Sequence, residues 1–389
     1  MRQSAIRGPH PLIAGASVTG LGTLVSRILG MVRDMATAAL LGMAGGGVMD
    51  AFVVAFRVPN LFRRLFGEGA LAASYLPVLA AEMERDRAQA WRLASTAMVW
   101  LAVVLAGLVL AAESVCALAW LVWGHLPGVG LAAGLAAVLL PYVLLVSLAA
   151  QVAATLHCLS EFALAAAAPA VLNVVWIAAA WVVAPWFAAK ESQAYVLAFA
   201  VLAAGVLQLA VQWPALRKHG FRFAYDLRAS RAALGRIART LGPMALGLAV
   251  TQINTVVDSL IVWALSAPPG PSPLVWQDHS IAHPVQAGAA AAIYFGERVY
   301  EFPLGIVGVA VATAIFPLLS RHAARGERMR LGADLTLGLR LVLLLGVPAS
   351  VGLVLLAEPL ARLLFEHGEF TPADTLRAGR VIAILAAGV

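Results

Sequence analysis

Arginine and carboxylate side chains recur inside stretches of this chain that are otherwise apolar. One group is Ser26-Arg27-Ile28-Leu29-Gly30-Met31-Val32-Arg33-Asp34. Arg27 and Asp34 stand seven apart and share a helix face, with Gly30 leaving room between them. A second runs from Asp50 to Arg64, where Asp50, Arg57 and Arg64 repeat every seven residues as one polar stripe. Asn60 and Arg63 lie beside that stripe, and Pro59 removes a backbone donor inside it. A third, Thr251-Gln252-Ile253-Asn254-Thr255-Val256-Val257-Asp258, puts amides and an acid on one face. The fourth is Tyr294-Phe295-Gly296-Glu297-Arg298-Val299-Tyr300-Glu301-Phe302-Pro303. There Arg298 can pair with Glu301, and Glu297 and Glu301 are one turn apart and can share a proton or a cation.

A charge at the centre of a membrane helix costs about 2.5–3.5 kcal/mol on insertion scales, so such residues tend to face a polar cavity. Guanidinium groups fork onto phosphate oxygens in a way that lysine does not. The apolar stretches hold almost no lysine. A cavity lined this way suits a diphosphate or another polyanion. Each group has a structural alternative. Arg33 and Asp34, or Arg63 and Arg64, can mark helix ends whose side chains reach the headgroups. Arg298 with Glu301 can be an ion pair, and Asn254 with Asp258 can serve hydrogen bonding between helices.

No signature of catalysis or of a metal accompanies these groups. The chain has no phosphate-binding GxxxxGK[ST] loop, no HExxH and no GxSxG. Cys116 and Cys158, the two cysteines, have no ligand spacing to a histidine cluster and read as ordinary buried thiols. No cofactor is called for, and the only tight acidic set, Glu82, Glu84 and Asp86, is interrupted by Arg85 and Arg87.

Helices crossing a bilayer must position these residues. The chain is 62% hydrophobic and 12% charged, with mean hydropathy +0.88, far from a soluble domain. Spans of about 20 apolar residues cross a hydrocarbon layer of about 30 Å. On that basis the spans are 10–32, 36–62, 93–122, 130–156, 163–189, 194–214, 240–266, 286–319 and 333–357, and a further one begins near 376. The first stays as a membrane helix, because the stretch lacks a cleavage site and runs into Arg27, Arg33 and Asp34. Connections after the second, sixth and eighth spans are rich in arginine, whereas 113–130 and 267–286 carry no lysine or arginine. This asymmetry puts the N-terminus and the even connections in the cytoplasm. The net charge of +7 therefore belongs to cytoplasmic loops, not to a nucleic-acid surface.

The proline-rich 267–286 connection reads as irregular. The basic segment 217–239 reads either as an interfacial helix or as a solvated linker. It separates a six-span first lobe, 1–216, from a second, incomplete lobe, 240–389. Ser74-Tyr75-Leu76-Pro77-Val78-Leu79 resembles Ala314-Ile315-Phe316-Pro317-Leu318-Leu319, as in a parallel repeat about an axis along the membrane normal.

The motifs also resemble a known family. Ser26-Arg27-Ile28-Leu29-Gly30 with Arg33-Asp34, and Asp50-Ala51-Phe52 through Arg57-Val58-Pro59-Asn60 to Arg63-Arg64-Leu65-Phe66-Gly67-Glu68-Gly69-Ala70, closely match MurJ (MviN-type) lipid II flippases. Gly242-Pro243, Gln252-Ile253-Asn254, Asp258, Glu301-Phe302-Pro303-Leu304-Gly305 and Leu364-Phe365-Glu366-His367-Gly368-Glu369-Phe370 continue the match. The resemblance implies an all-α integral membrane protein of the MOP exporter fold, two helical lobes around a cavity. It implies a bacterial inner-membrane transporter, not an enzyme, that moves lipid-linked peptidoglycan precursor (lipid II) from the cytoplasmic to the periplasmic leaflet. By resemblance, Arg27, Arg33, Arg63 and Arg298 bind the diphosphate. Asp34, Asp50 and Glu301 position those arginines or couple to an ion, with Arg57, Asn60, Arg64, Glu297, Asn254 and Asp258 in support. A monovalent cation or the membrane potential would drive the cycle, and membrane lipids and cell-wall synthesis machinery are the implied partners. A complete member has more helices than this chain supplies, so the resemblance implies a C-terminal truncation. The alternatives are an exporter of another polyprenyl-linked glycan, a MATE-like antiporter and, remotely, a membrane enzyme acting on polyprenyl phosphates.

Overall fold

The computed structural model describes residues 11–43, 45–67, 70–126, 128–266, 274–276, 279–281 and 283–388. The fold is helical almost throughout. In order come α1 (Pro11–Leu41), α2 (Val48–Gly67), α3 (Ala70–Arg85), α4 (Arg87–Trp123), α5 (Val129–Leu139), α6 (Pro141–Cys158), α7 (Ala163–Ala178) and α8 (Lys190–Lys218). Then follow α9 (Leu227–Leu265), β1 (Leu274–Trp276), β2 (His279–Ile281), α10 (Ala289–Ala324), α11 (Arg328–Phe365) and α12 (Pro372–Ala386). Among the described residues six helical stretches are long and apolar enough to cross a membrane: Arg87–Trp123, Val129–Cys158, Ala163–Trp186, Lys190–Lys218, Leu227–Leu265 and Arg328–Phe365.

Four boundaries differ from the sequence reading. The first helix does not end near residue 32; it runs to Leu41, and the break falls at Gly42–Gly47. Gly42, Gly46 and Gly47 have φ of 67°, 63° and 73°, a region glycine enters without steric cost. Arg33 and Asp34 are therefore helix-interior residues. Secondly, 70–85 is a helix of its own, because Ala70, Leu71, Ser74, Tyr75 and Leu79 give it a buried stripe. Thirdly, the basic segment from 227 onward is not a solvated linker. It forms the first turns of α9, capped by Asp226 accepting from Ala229 N at 3.0 Å, and Pro243 lies within the same helix. Ser230, Ala233 and Ile237 are buried, at spacings that define one helix face. Ala233 and Ile237 join a core containing Tyr75, Trp91, Leu216 and Phe221, while Arg228, Arg231, Arg236 and Arg239 stay exposed. Arg236 reaches Glu82 at 2.9 Å. Fourthly, the 267–286 connection is not wholly irregular: β1 and β2 form a short antiparallel hairpin with Trp276 opposite His279.

Contacts divide the chain into two compact units. One comprises α1 up to Thr37 together with 46–287; the other comprises 38–45 and 288–389. This is a division by contact and differs from a division by repeat at 217–239. In the first unit α2 packs against α5, α6 and α9. In the second, α10, α11 and α12 pack on one another around Phe295, Phe365 and Phe370, with ring centroids 5.0–5.9 Å apart. The turn between α11 and α12 is fixed against the end of α1: Glu369 N donates to Ala39 O at 2.9 Å. α12 then starts with a reciprocal cap between Thr371 and Asp374 and with Pro372 in its first turn, where a missing N–H is harmless.

The α10–α11 connection is an ion-pair cluster. His322 Nδ1 is 2.7 Å from Glu327 Oε2, and its Nε2 is 3.3 Å from Asp334 Oδ2. Arg330 also reaches Glu327, at 3.2 Å. The hydrogen bond from His322 and the nearby Arg330 charge hold the Glu327 carboxyl below its ordinary 4.5. A lowered folded-state value means stability present above the unfolded value and lost as pH falls through the folded one. Amide exchange in residues 322–331, expressed relative to the intrinsic rate at each pH, is therefore expected to rise as pH falls below about 4.5. In Glu327→Gln that acid-triggered rise should be largely absent; an identical profile would show that Glu327 does not hold the turn.

Candidate functional site

Arg33 is held by its own helix and by α7. It is 9% exposed and Asp34 is 1% exposed. Its Nη2 and Nε both donate to Asp34 Oδ1, at 2.7 and 3.0 Å. Its Nη1 donates to Asn173 Oδ1 on α7 at 3.1 Å. The guanidinium lies over the Trp176 ring, 4.9 Å from its centroid, which is a cation–π contact.

The supports of Arg33 are themselves held. Asn173 Nδ2 donates to Ser26 O at 2.9 Å, and Trp176 Nε1 donates to Thr37 Oγ1 at 3.1 Å. Thr37 in turn donates to the Arg33 carbonyl at 2.8 Å. Ser26, Gly30, Arg33 and Thr37 form a stripe along α1 at helical spacing. A Cβ on Gly30 would lie 3.8 Å from Asn173 Nδ2, so the small residue faces α7. Trp176 also meets Phe52 and Phe56 of α2 edge-on, at 5.5 and 5.2 Å. Three helices thus converge on a single indole.

On α2, Asp50 and Arg57 are buried, at 2% and 6% exposure, and so is Asn60. Pro59 lies inside the helix without ending it. It leaves the Ala55 carbonyl without its usual helical donor. Arg63 and Arg64 are half-buried, and Arg63 Nε donates to Asn60 Oδ1 at 3.1 Å. Tyr142 of α6 is fully buried. Arg27, which the sequence places deep, is exposed.

Two further groups stand on α9 and α10. Asn254 and Asp258 are exposed on α9; Asn254 Nδ2 donates to Asp258 Oδ2 at 2.9 Å, one turn on in the same helix. In the second unit Arg298 Nη1 donates to Glu301 Oε2 at 3.1 Å, and its guanidinium lies 4.9 Å from the Tyr294 ring centroid. Glu297 is half-buried. The pattern of Arg298 repeats that of Arg33: a carboxylate neutralises the charge and an aromatic ring orients the plane.

Sequence reasoning missed Asn173, Trp176 and Tyr142. An asparagine and a tryptophan three apart in an alanine-rich span were the available signal for α7. Chemically, the arrangement can present guanidinium planes to an anion while acids balance their charge. Among the described residues no group of three or more His, Cys, Asp or Glu side chains could hold a metal ion.

Comparison with known proteins bears on the fold and on the family. The family model described as "Lipid II flippase MurJ" matches residues 37–389. A probable lipid II flippase MurJ of Rhizobium meliloti is 34% identical over 389 residues, covering 97% of this chain and 68% of the relative. Another, of Vibrio cholerae, is 32% identical, covering 97% and 70%. The chain thus spans about two thirds of the length of the curated relatives it matches. Among solved structures, lipid II flippase MurJ in an inward closed conformation superposes with a TM-score of 0.72 at 22% identity, over 95% of this chain and 72% of that one. An inward-facing multidrug resistance MATE family transporter of the MOP superfamily superposes at 0.69 with 15% identity, over 93% and 76%. The helical fold is therefore shared with these two transporters, and the chain, a multi-pass membrane protein, belongs to the lipid II flippase MurJ family.

Proposed function

We propose that this chain carries the substrate-binding machinery of a flippase that moves lipid II from the cytoplasmic to the periplasmic leaflet of a bacterial inner membrane by alternating access. The observation that carries the reading is the burial of Arg33 in α1, held by Asp34, Asn173 and Trp176. A guanidinium fixed in plane and position loses little freedom on binding a diphosphate, and it forks onto two phosphate oxygens. Asp34 makes the charge tolerable when no substrate is present, since a buried cation without a partner is costly.

Arg27, Arg63 and Arg298 are the further diphosphate contacts in this reading. Asp50 and Glu301 act beside Asp34, with Arg57, Asn60, Arg64, Glu297, Asn254 and Asp258 in support. Residues 1–216 and 240–389 are the repeat-related lobes, 217–239 the basic link between them, and the N-terminus is cytoplasmic. A monovalent cation or the membrane potential drives the cycle, in a setting of membrane lipids and cell-wall synthesis machinery. Transport accounts for the buried charges without a catalytic group.

Reconstitution in liposomes with fluorescently labelled lipid II tests the proposal. Leaflet exchange, read by bleaching from outside with an impermeant reductant, should exceed that of protein-free vesicles and fall to their level in Arg33→Ala. Exchange of a labelled polyprenyl-linked glycan in place of lipid II would favour an exporter of that glycan. No exchange of either would reject the transport reading.

A further inference from the structure

The groove between α4 and α5 holds a carboxyl that the transport reading leaves unused. The most apolar stretch of α4 is almost entirely unburied within the protein, as suits a helix facing lipid. Within α4 stands Glu113, half-buried, forming no hydrogen bond or ion pair among the described residues. Cys116, Ala117 and Trp120 follow it at helical spacing on the same face. Ala133, Gly134 and Ala137 of α5 form the other wall, and together these residues line a crevice of about 230 Å³. Small side chains on α5 open it. A Cβ at 134 would meet the Tyr195 hydroxyl of α8, so glycine there keeps α5 close to α8.

The chemistry of the walls selects the occupant. A lone carboxylate in hydrocarbon is unfavourable unless it is neutralised or paired. The alanine walls accept an alkyl chain, and a tryptophan beside a carboxylate suits an ammonium group. A hard metal cation would need several oxygen ligands, and the lining offers one carboxyl. A phosphate-bearing anion would be repelled by it. Depth distinguishes the sources of ammonium. Trp120 and Trp123 end α4, and tryptophans gather at headgroup level. Glu113 lies seven residues before Trp120, about 10 Å along the helix axis, with its Cβ tilted further from that end. A phospholipid's ammonium is tethered to a phosphate that stays at headgroup level, whereas an amphiphile whose only polar group is the ammonium can sink to pair with the carboxylate.

We propose that the α4–α5 crevice binds lipophilic ammonium amphiphiles from the bilayer, the ammonium against Glu113 and Trp120 and the chain along Ala117, Ala133 and Ala137. Dicyclohexylcarbodiimide, which modifies carboxyl groups in apolar surroundings, supplies the test. The whole protein in phosphatidylglycerol liposomes is treated with the reagent, and the adduct at Glu113 is quantified by peptide mass spectrometry. Tetradecyltrimethylammonium at ten times its dissociation constant should lower the adduct on the order of ten-fold, as a site left about one tenth free requires. Tetradecanol should leave the adduct unchanged, as should liposomes containing phosphatidylethanolamine. Glu113→Gln should lack the adduct yet transport labelled lipid at the wild-type rate. Equal protection by tetradecanol would reduce the crevice to an apolar gap. Equal protection by phosphatidylethanolamine would make the occupant a lipid headgroup. Absence of any adduct at Glu113 would mean that its carboxyl is not open to the bilayer. Each of these three results overturns the proposal.

Discussion

Arg33→Ala is expected to abolish the growth support that the intact protein gives to a bacterium depleted of its own lipid II flippase, with the protein still present in the membrane. The substitution removes the diphosphate contact and breaks the ion pair with Asp34, which is 1% exposed. Breaking a buried pair in this way costs about 3–5 kcal/mol. If only half of that cost falls on the substrate-bound state, transport drops about ten- to a hundred-fold. Lysine should not rescue it. A point charge cannot reproduce two donations to Asp34 Oδ1, one to Asn173 and a face laid on Trp176. Arg33→Lys is therefore expected to behave nearly like alanine, whereas Trp176→Phe, which keeps an aromatic face but loses the bond to Thr37, should retain partial activity. Normal growth with Arg33→Ala at wild-type protein level would remove Arg33 from the substrate path.

Gly368→Val is expected to be the most destabilising single change in the second unit. Gly368 has φ 61°, where a β-branched residue is strained by about 1–3 kcal/mol. A Cβ there would also collide with the Ala39 backbone carbonyl, which already accepts from Glu369 N. The contact is backbone on backbone, so no side chain can yield. Across the same interface Gly42, φ 67°, would place a Cβ 2.6 Å from the Glu369 carbonyl oxygen. Thermal unfolding in detergent should shift downward by several degrees for Gly368→Val and for Gly42→Ala. Gly326→Ala, whose φ is 70° but whose added Cβ would meet nothing within 4 Å, should shift it much less. Equal shifts in all three would mean that backbone conformation alone matters and that the close approach does not.

These two predictions show what could be read from the residues. Charge type and hydropathy are local properties, and burial in lipid amplifies them. The apolar spans, the near-absence of lysine within them and the sets around Arg33, Arg57 and Arg298 were therefore legible directly. The family motifs were legible for the same reason. His367-Gly368-Glu369 could be seen as a motif, but its cause could not: the glycine is there because the α11–α12 turn meets the end of α1.

The sequence by itself determined that this is a many-helix membrane protein with guanidinium groups placed where hydrocarbon would otherwise exclude them. Tertiary structure alone decided how Arg33 is held. In the sequence itself Gly42, Gly45, Gly46 and Gly47 suggest a break; the structure shows that no break precedes it, so Arg33, a candidate helix-end anchor, is an interior residue. Asn173, which fixes it, lies 140 residues away in the chain. Nothing in α7 taken alone announces that partnership. It arises only when packing brings α1, α2 and α7 around Trp176, because a hydrogen bond depends on angstrom-scale distance in space and hydropathy depends only on neighbours in sequence.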